Sequence, residues 1–237
     1  AQNREIRRRY WWRYGEVAPR LYNTIAPLSR VLVVALVTKY VNFTFTPVDL
    51  VFSHKLAVVA YDQAASFLIL QSTIHEVWAR QFGSTLGTTL NYSPSDCFET
   101  FPFPMDITGL EGIGEGYHET RRQIMLARQE GLTALYNRFH TPAETDADIA
   151  GLRGQHQALD QAVAAAYGWA DLDLGHGFHE SNGEIRYTIS EAARREVLRR
   201  LLALNFARHA LEAGSAKGKG GRKRGKSPAD GSGQMGF

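Results

Sequence analysis

The spacing of apolar residues in the first half of the chain switches between patterns typical of helices and of strands. Residues 3 to about 26 carry large apolar side chains three and four positions apart, which predicts a helix that Pro19 and Pro27 kink or end. The continuous apolar run Val31 to Val37 predicts a strand buried on both faces. Residues 39–46 alternate between apolar and polar side chains, so they predict a half-exposed strand.

Beyond Pro47 the pattern predicts two further strands, at 48–52 and 56–61, and then a helix over 64–80 with a buried apolar stripe. The segment Gln81 to Ser93 is different. It is short of large apolar residues and rich in Gly, Ser, Thr and Asn, and it leads into an extended, proline-containing stretch that ends at 104.

The second half has a mainly helical pattern. A linker is predicted at 105–116, followed by helices over 117–139 and about 145–167. Ser181-Asn182-Gly183 is a strong hairpin turn signal. A capping box at Thr188 to Glu191 then predicts the start of a last helix.

Charge is distributed unevenly, although the net charge is only +3. Residues 1–104 hold ten Lys and Arg against seven Asp and Glu, residues 105–213 hold eleven against sixteen, and residues 214–237 hold six against one. The last segment is also rich in glycine and poor in apolar residues, which predicts a disordered basic tail. Such a tail either attracts phosphate without regard to sequence or only improves solubility; composition leaves both interpretations open.

Composition also limits the kinds of protein that this sequence can be. Hydrophobic residues make up 44% of the chain, enough for a sizeable core in one or two domains. The sequence shows no leader pattern and no apolar run of about 18 residues, so we expect a cytoplasmic protein without a membrane partner. Because the first residue is Ala1 rather than Met, we interpret the chain as a fragment or a cleaved product.

The cysteine, histidine and glycine residues of the sequence form no recognisable disulfide, nucleotide-binding or zinc-binding pattern. The single cysteine, Cys97, cannot form an internal disulfide and is expected to pack in the core, as is His156. Gly112 to Gly116 follows no predicted strand, so it is not read as a nucleotide loop. His176 to Glu180 fits no zinc pattern, so neither metal ligands nor catalytic residues are predicted.

Seven stretches of the chain carry a resemblance to a known family. They are VLVVALVTKY, VFSHKLAVVAYD, LQSTIHEVWARQFGS, NYSPSDCFETFPFP, LTALYNRFH, LRGQHQALDQAVAAAYGW and IRYTISEAARREVLRRLLALN. They resemble the target recognition domain and C-terminal helical domain of MmeI-type (type IIL) restriction-modification enzymes and related adenine-specific DNA methyltransferases. The similarity covers roughly residues 10–211.

The resemblance implies an α+β fold, with a mixed-sheet DNA target recognition domain at 1–104, a small helical domain at 117–213 and the tail. The intact polypeptide of this family is an S-adenosylmethionine-dependent adenine-N6 methyltransferase that flips its target base. Its Asn/Asp-Pro-Pro-Tyr/Phe motif does not occur in this sequence. We therefore expect no cofactor in this chain, S-adenosylmethionine in the parent enzyme, and two partners: double-stranded DNA and a methyltransferase catalytic domain or subunit. The alternative is a helical interaction module, or an orphan remnant, that docks on a separate methyltransferase subunit.

Two sets of residues are candidates for DNA contact. The polar side chains of the 81–93 segment suit base edges, although a solvent loop has the same composition. The predicted base contacts are Ser84, Thr85, Thr88, Thr89 and Asn91, with the exposed strand face of Asn42, Thr44 and Thr46 as the second choice. The predicted phosphate contacts are Arg7, Arg8, Arg13, Lys39 and Arg80, the alternative for the arginines of the first helix being a solvated face.

Overall fold

The first strand of the computed structural model lies between two apolar layers. The structure describes residues 18–220 and residue 8, with side chains up to 213. Val31 and Val33 pack in a small cluster with Ile25, whereas Leu32 and Val34 face the main core. Burial on both faces, predicted for Val31 to Val37 from the continuous apolar run, is confirmed for Val31 to Val34. The strand ends at Ala35, however, and Val37 is 68% exposed.

Eight strands form three small sheets within the described residues. Their orders are β3-β1-β4, β2-β6-β5 and β7-β8. The strands are β1 (Arg30–Ala35), β2 (Val37–Thr38), β3 (Thr44–Pro47), β4 (Leu56–Val59), β5 (Ser84–Leu86), β6 (Thr89–Asn91), β7 (Gly177–Ser181) and β8 (Glu184–Thr188).

The prediction of a mixed sheet is wrong for the described residues, because all the strand pairings there are antiparallel. Parallel pairing needs a long crossover, whereas β1, β3 and β4 are joined by short loops. The strand predicted at 48–52 is also absent: Val48 and Phe52 lie in a loop and pack partly buried side chains against the small cluster.

Seven helices lie in the described part of the chain, and a π-helical turn covers Pro94–Phe98. The helices are α1 (Pro19–Ile25), α2 (Ala64–Gln71), α3 (Thr73–Phe82), α4 (Leu110–Arg128), α5 (Leu132–Phe139), α6 (Ala147–Ala166) and α7 (Glu191–Gly220). The helix predicted over 3–26 is described only at its end, since residues 1–7 and 9–17 lie outside the described residues.

Two predicted helices are each divided in two. Ser72 breaks the 64–80 helix with an extended backbone, and its hydroxyl oxygen accepts a hydrogen bond from the backbone nitrogen of His75 at 3.2 Å. Gln129 ends α4 in the left-handed region, with φ of 53°. α4 also begins inside the segment predicted as a linker, and its glycines are helical.

The predicted hairpin and last helix are present. Asn182 and Gly183 have φ of 54° and 76°, as a type I′ turn between β7 and β8 requires. The capping box predicted from Thr188 to Glu191 is wrong, because Thr188 is the last residue of β8 and the helix begins at Glu191. Ser190 is the cap instead, and its hydroxyl accepts a hydrogen bond from the backbone nitrogen of Ala193 at 3.2 Å. α7 continues to Gly220, so residues 214–220 of the predicted tail are helical, while 221–237 lie outside the described residues.

One hydrophobic core extends through both halves of the chain, from Leu32 on β1 to Leu201 on α7. Cys97 and His156 are buried, as predicted. None of the helices in the described ranges is long and apolar enough to cross a membrane.

Candidate nucleic-acid interface

The polar segment predicted for base contact folds into a β-hairpin. β5 and β6 pair antiparallel, with Ser84 opposite Asn91 and Leu86 opposite Thr89. Gly87 occupies the first position of the two-residue turn with φ of 60°. A left-handed glycine in that position is typical of a type II′ turn, which matches the twist of the two strands.

The hairpin has one face toward the core and one toward solvent. Leu90 is fully buried, and its partners in the sheet are Thr38 and Thr85. Directly opposed residues in an antiparallel pair lie on the same face, so the neighbours of these three residues lie on the other. That outer face, called here the hairpin face, consists of Val37, Ser84, Leu86, Thr89 and Asn91.

The structure brings together three of the five predicted base contacts. Ser84, Thr89 and Asn91 share the hairpin face, and the Asn91 side-chain nitrogen donates a hydrogen bond to the Ser84 hydroxyl at 3.2 Å. Thr88 lies in the turn. Thr85 is exposed at the sheet edge but belongs to the opposite face.

Sequence reasoning missed the two apolar members of the hairpin face. Leu86 is 87% exposed and Val37 is 68% exposed. The alternating directions of side chains along residues 84–91, on either side of a turn at Gly87, could have placed Leu86 on the same face as Ser84. No local signal identified Val37, because its position depends on the pairing of β2 with β6.

Buried residues hold the hairpin at both ends. At its start, a Cβ on Gly83 would come within 2.7 Å of the Leu90 side chain, so the end of α3 and the hairpin meet closely. At its end, Tyr92 is fully buried, and its hydroxyl lies 2.9 Å from His75 Nε2. Burial lowers the pKa of His75 to about 3, which keeps the ring neutral at physiological pH. The hairpin is therefore attached to the core at both ends.

The predicted phosphate contacts have different environments. Lys39 lies 3.1 Å from Glu184, and this hydrogen bond raises the pKa of Lys39. Arg80 has a side chain only 10% exposed, because it pairs with Glu76 at 2.7 Å and donates to the Lys39 carbonyl oxygen at 2.9 Å. Arg8 is exposed. The remaining candidates, Arg7 and Arg13, lie outside the described residues.

Glu76 is the centre of the ion pairs at the base of the hairpin. Burial alone would raise its pKa, but Arg80 and Arg186 lower the pKa of this carboxyl to about 2. The carboxylate is thus charged at neutral pH and fixes Arg80 in place. The pair positions α3 rather than offering a free cation to a ligand.

A groove of about 550 Å³ lies between α3, the β7-β8 hairpin and α7. Its charged lining residues balance in sign, so it has no net attraction for phosphate. They are Arg80, Arg194, Arg195, Glu76, Glu180 and Glu191. Among the described residues, no group of three histidine, cysteine or carboxylate side chains is placed to hold a metal ion.

The second-choice strand face is less open than the hairpin. Asn42, Thr44 and Thr46 are half-buried. The Asn42 side-chain oxygen accepts a hydrogen bond from Gln71 at 3.1 Å, which ties it to α2. The hairpin face is the more accessible polar surface of the two.

The hairpin lies inside a segment that matches a known family of domains. Residues 22–105 match the family model described as the target recognition domain of MmeI. This segment is an MmeI-type target recognition domain. The match includes the complete β5-β6 hairpin and its supports on α3, so the hairpin face is a surface of the recognition domain. The resemblance inferred from the sequence is confirmed.

A solved structure shares the fold beyond the target recognition domain. It is the type IIL restriction-modification enzyme MmeI in complex with DNA, with 23% sequence identity and a TM-score of 0.51. The match covers 76% of this chain and 22% of that chain. Comparison with curated protein sequences gave no significant match.

Proposed function

We propose that this chain recognises a specific sequence in double-stranded DNA, as the recognition part of a site-specific adenine-N6 DNA methyltransferase or restriction-modification enzyme. The observation that carries the proposal is the MmeI-type target recognition domain at residues 22–105, with an exposed polar hairpin at its surface. The similar MmeI enzyme was solved in complex with DNA, which supports duplex DNA as the partner.

The hairpin has the dimensions and chemistry for base readout. A two-stranded β-ribbon fits the major groove of B-DNA, where each base pair presents a distinct set of donors and acceptors. The Asn91 side chain is exposed and gives one N–H to Ser84, which leaves a second N–H and the carbonyl oxygen for a ligand. This pair of groups is complementary to adenine N6 and N7.

Phosphate contacts would orient the hairpin in the groove without selecting a sequence. We assign this role to the arginines of the N-terminal segment, Arg7, Arg8 and Arg13, and to Lys39, which is partly exposed beside the hairpin sheet. Arg80 contributes indirectly, because its ion pair with Glu76 holds the end of α3 from which the hairpin leaves.

Methyl transfer would be the work of a catalytic domain or subunit that binds S-adenosylmethionine, with the reaction taking place in the cytoplasm. This chain would supply only the choice of site. Its role is thus to place a catalytic partner on the correct base pair.

Selection of binding sites from random duplexes by the purified chain tests the proposal. We expect one short sequence to be enriched, and a variant carrying Ser84→Ala and Asn91→Ala to change or lose that preference. Asn182→Gly, in the β7-β8 turn, is the control and should preserve it. If the chain enriches no sequence but binds a methyltransferase subunit, it is an interaction module and the proposal is wrong.

A further inference from the structure

The hairpin face combines exposed apolar side chains with uncharged polar ones, which is an unusual composition for a surface that faces only solvent. The fifteen residues from Gln81 to Ser95 contain no charged side chain, although 22% of the chain is charged. Exposed sheet edges generally carry charges, which prevent edge-to-edge pairing. β5 is one of the two edge strands of its sheet, and it ends in the exposed apolar residue Leu86 instead of a charged one.

The register gives the layout of this face. Val37, Asn91 and Ser84 form one row across the three strands, and Thr89 and Leu86 form the next row. With strands roughly 4.8 Å apart and residues roughly 3.4 Å apart along each strand, Val37 and Leu86 stand at opposite corners, about 12 Å from each other. Leu86 is beside the turn and would enter a groove first.

We propose that Leu86 reads the C5-methyl group of a thymine in the major groove; this inference rests on the proposed DNA recognition. The thymine methyl is the one apolar group that a base pair presents there, and apolar side chains recognise it by contact. The neighbouring polar groups on the hairpin face would pair with the adjacent base edges. A charged side chain at position 86 would lose its hydration against the methyl group, which favours an apolar residue there.

The test uses the duplex selected by the full chain, with each thymine in turn replaced by deoxyuridine. This change removes only the methyl group and leaves base pairing intact. At one thymine we expect the wild-type chain to lose roughly fourfold to tenfold in affinity, as the loss of one buried methyl contact predicts. Leu86→Ala should bind the thymine duplex more weakly and be insensitive to uridine at that position.

Two further variants separate a methyl contact from a general effect. Leu86→Met keeps an apolar side chain and should retain the sensitivity to uridine. Leu50→Ala removes a half-exposed leucine in the loop after β3 and should behave as wild type. Because Leu86 is exposed, its variants should unfold at the wild-type temperature, which a thermal scan verifies.

The possible failures are distinguishable. Sequence-specific binding that is equally strong with every uridine substitution, or a selected site without thymine, overturns the role of Leu86 and leaves the proposed function intact. If Leu86→Ala stays as sensitive as the wild type, another residue makes the contact and the inference is equally wrong. Absence of any sequence preference overturns both.

Discussion

Asp160 on α6 accepts a hydrogen bond from the backbone nitrogen of Thr73, the first residue of α3, at 2.7 Å. Its other carboxylate oxygen lies 2.8 Å from His176 Nε2. Glu111 acts similarly at the preceding helix, α2, since its two carboxylate oxygens accept hydrogen bonds from the backbone nitrogens of Ala64 and Ala65. Asp160 and Glu111 both lie outside the matched segment 22–105. The second half of the chain therefore supplies the hydrogen-bond acceptors for the free backbone N–H groups at the starts of α2 and α3 in the recognition domain.

Replacing Asp160 with alanine should lower the free energy of unfolding by roughly 3 kcal/mol, because the side chain is fully buried and its partners would be left unsatisfied. Urea denaturation followed by circular dichroism measures the change. Asp106→Ala is the matched control: Asp106 also accepts from a backbone nitrogen, that of Thr108 at 2.8 Å, but in an exposed turn, and its loss should matter little. Equal effects of the two substitutions would contradict the capping role of Asp160.

These contacts show which parts of the fold a sequence can predict. The burial of β1 and the turn at Asn182 depend on local patterns, and both were predicted correctly. The break at Ser72 was not, because the carboxylate that caps α3 is 87 residues away in sequence from Thr73. The hairpin face was identified only in part for the same reason: its composition was visible, but its membership depends on a pairing with β2.

Gly114 and Gly116 on α4 should respond oppositely to replacement by alanine. A Cβ on Gly114 would lie 2.2 Å from the Ala64 carbonyl oxygen, so Gly114→Ala must separate α4 from α2 and should cost about 2 kcal/mol or more. A Cβ on Gly116 would meet nothing within 4 Å, so Gly116→Ala should stabilise the helix by about 0.5 to 1 kcal/mol. Thermal unfolding of both variants distinguishes a packed helix from a flexible linker, in which the two substitutions would have the same effect.

Stability should fall as the pH is lowered below about 6.5. His75 has a pKa lowered from 6.5 to about 3 by burial, so between these values the unfolded chain binds a proton that the folded chain does not. The contribution of neutral His75 is therefore complete above 6.5 and is lost progressively down to about 3, with a slope of about 1.4 kcal/mol per pH unit. His140 has its pKa lowered to about 3, also by burial, and adds to the slope.

Denaturation curves between pH 5 and 6 test this prediction, since Glu76, with its pKa lowered from 4.5 to about 2, adds its own effect only below that range. His75→Gln should reduce the slope by about 1.4 kcal/mol per pH unit, whatever its effect on stability at neutral pH. His54→Gln, at an exposed loop position, serves as the control. Parallel curves for the wild type and His75→Gln would show that His75 is not held neutral.

The basic C-terminal segment should strengthen DNA binding without affecting the choice of site. Residues 221–237 include four Lys and Arg against one Asp, and a truncation after Gly220 preserves the whole of α7. Because phosphate contacts release counterions, the truncated chain should bind random duplexes more weakly and show a shallower dependence of log affinity on log salt. Fluorescence anisotropy at several salt concentrations gives both quantities. A changed site preference would mean that the tail contacts bases.

Substitutions on the hairpin face should change the recognised sequence, whereas substitutions of phosphate contacts should not. Asn91→Ala removes the exposed amide that suits adenine and should cost about 1 to 3 kcal/mol of discrimination at one base position. Arg8→Ala should weaken binding to all duplexes alike, because phosphates carry no sequence information. Thr85→Val is the internal control on the opposite face of β5, and it should leave the preference unchanged if only the hairpin face reads bases.

Binding-site selection with each variant, at the same salt concentration, provides the measurement. The comparison of Ser84→Ala with Thr85→Val is informative because the two residues are adjacent in sequence and both exposed. Their side chains nevertheless lie on opposite faces of β5. A shift in preference with Asn91→Ala and Ser84→Ala, but not with Thr85→Val, would place readout on the hairpin face. If every substitution from 84 to 91 weakened binding uniformly and the selected sequence never changed, the hairpin would be structural. Readout would then belong to Asn42, Thr44 and Thr46, and substitutions there should shift the selected site.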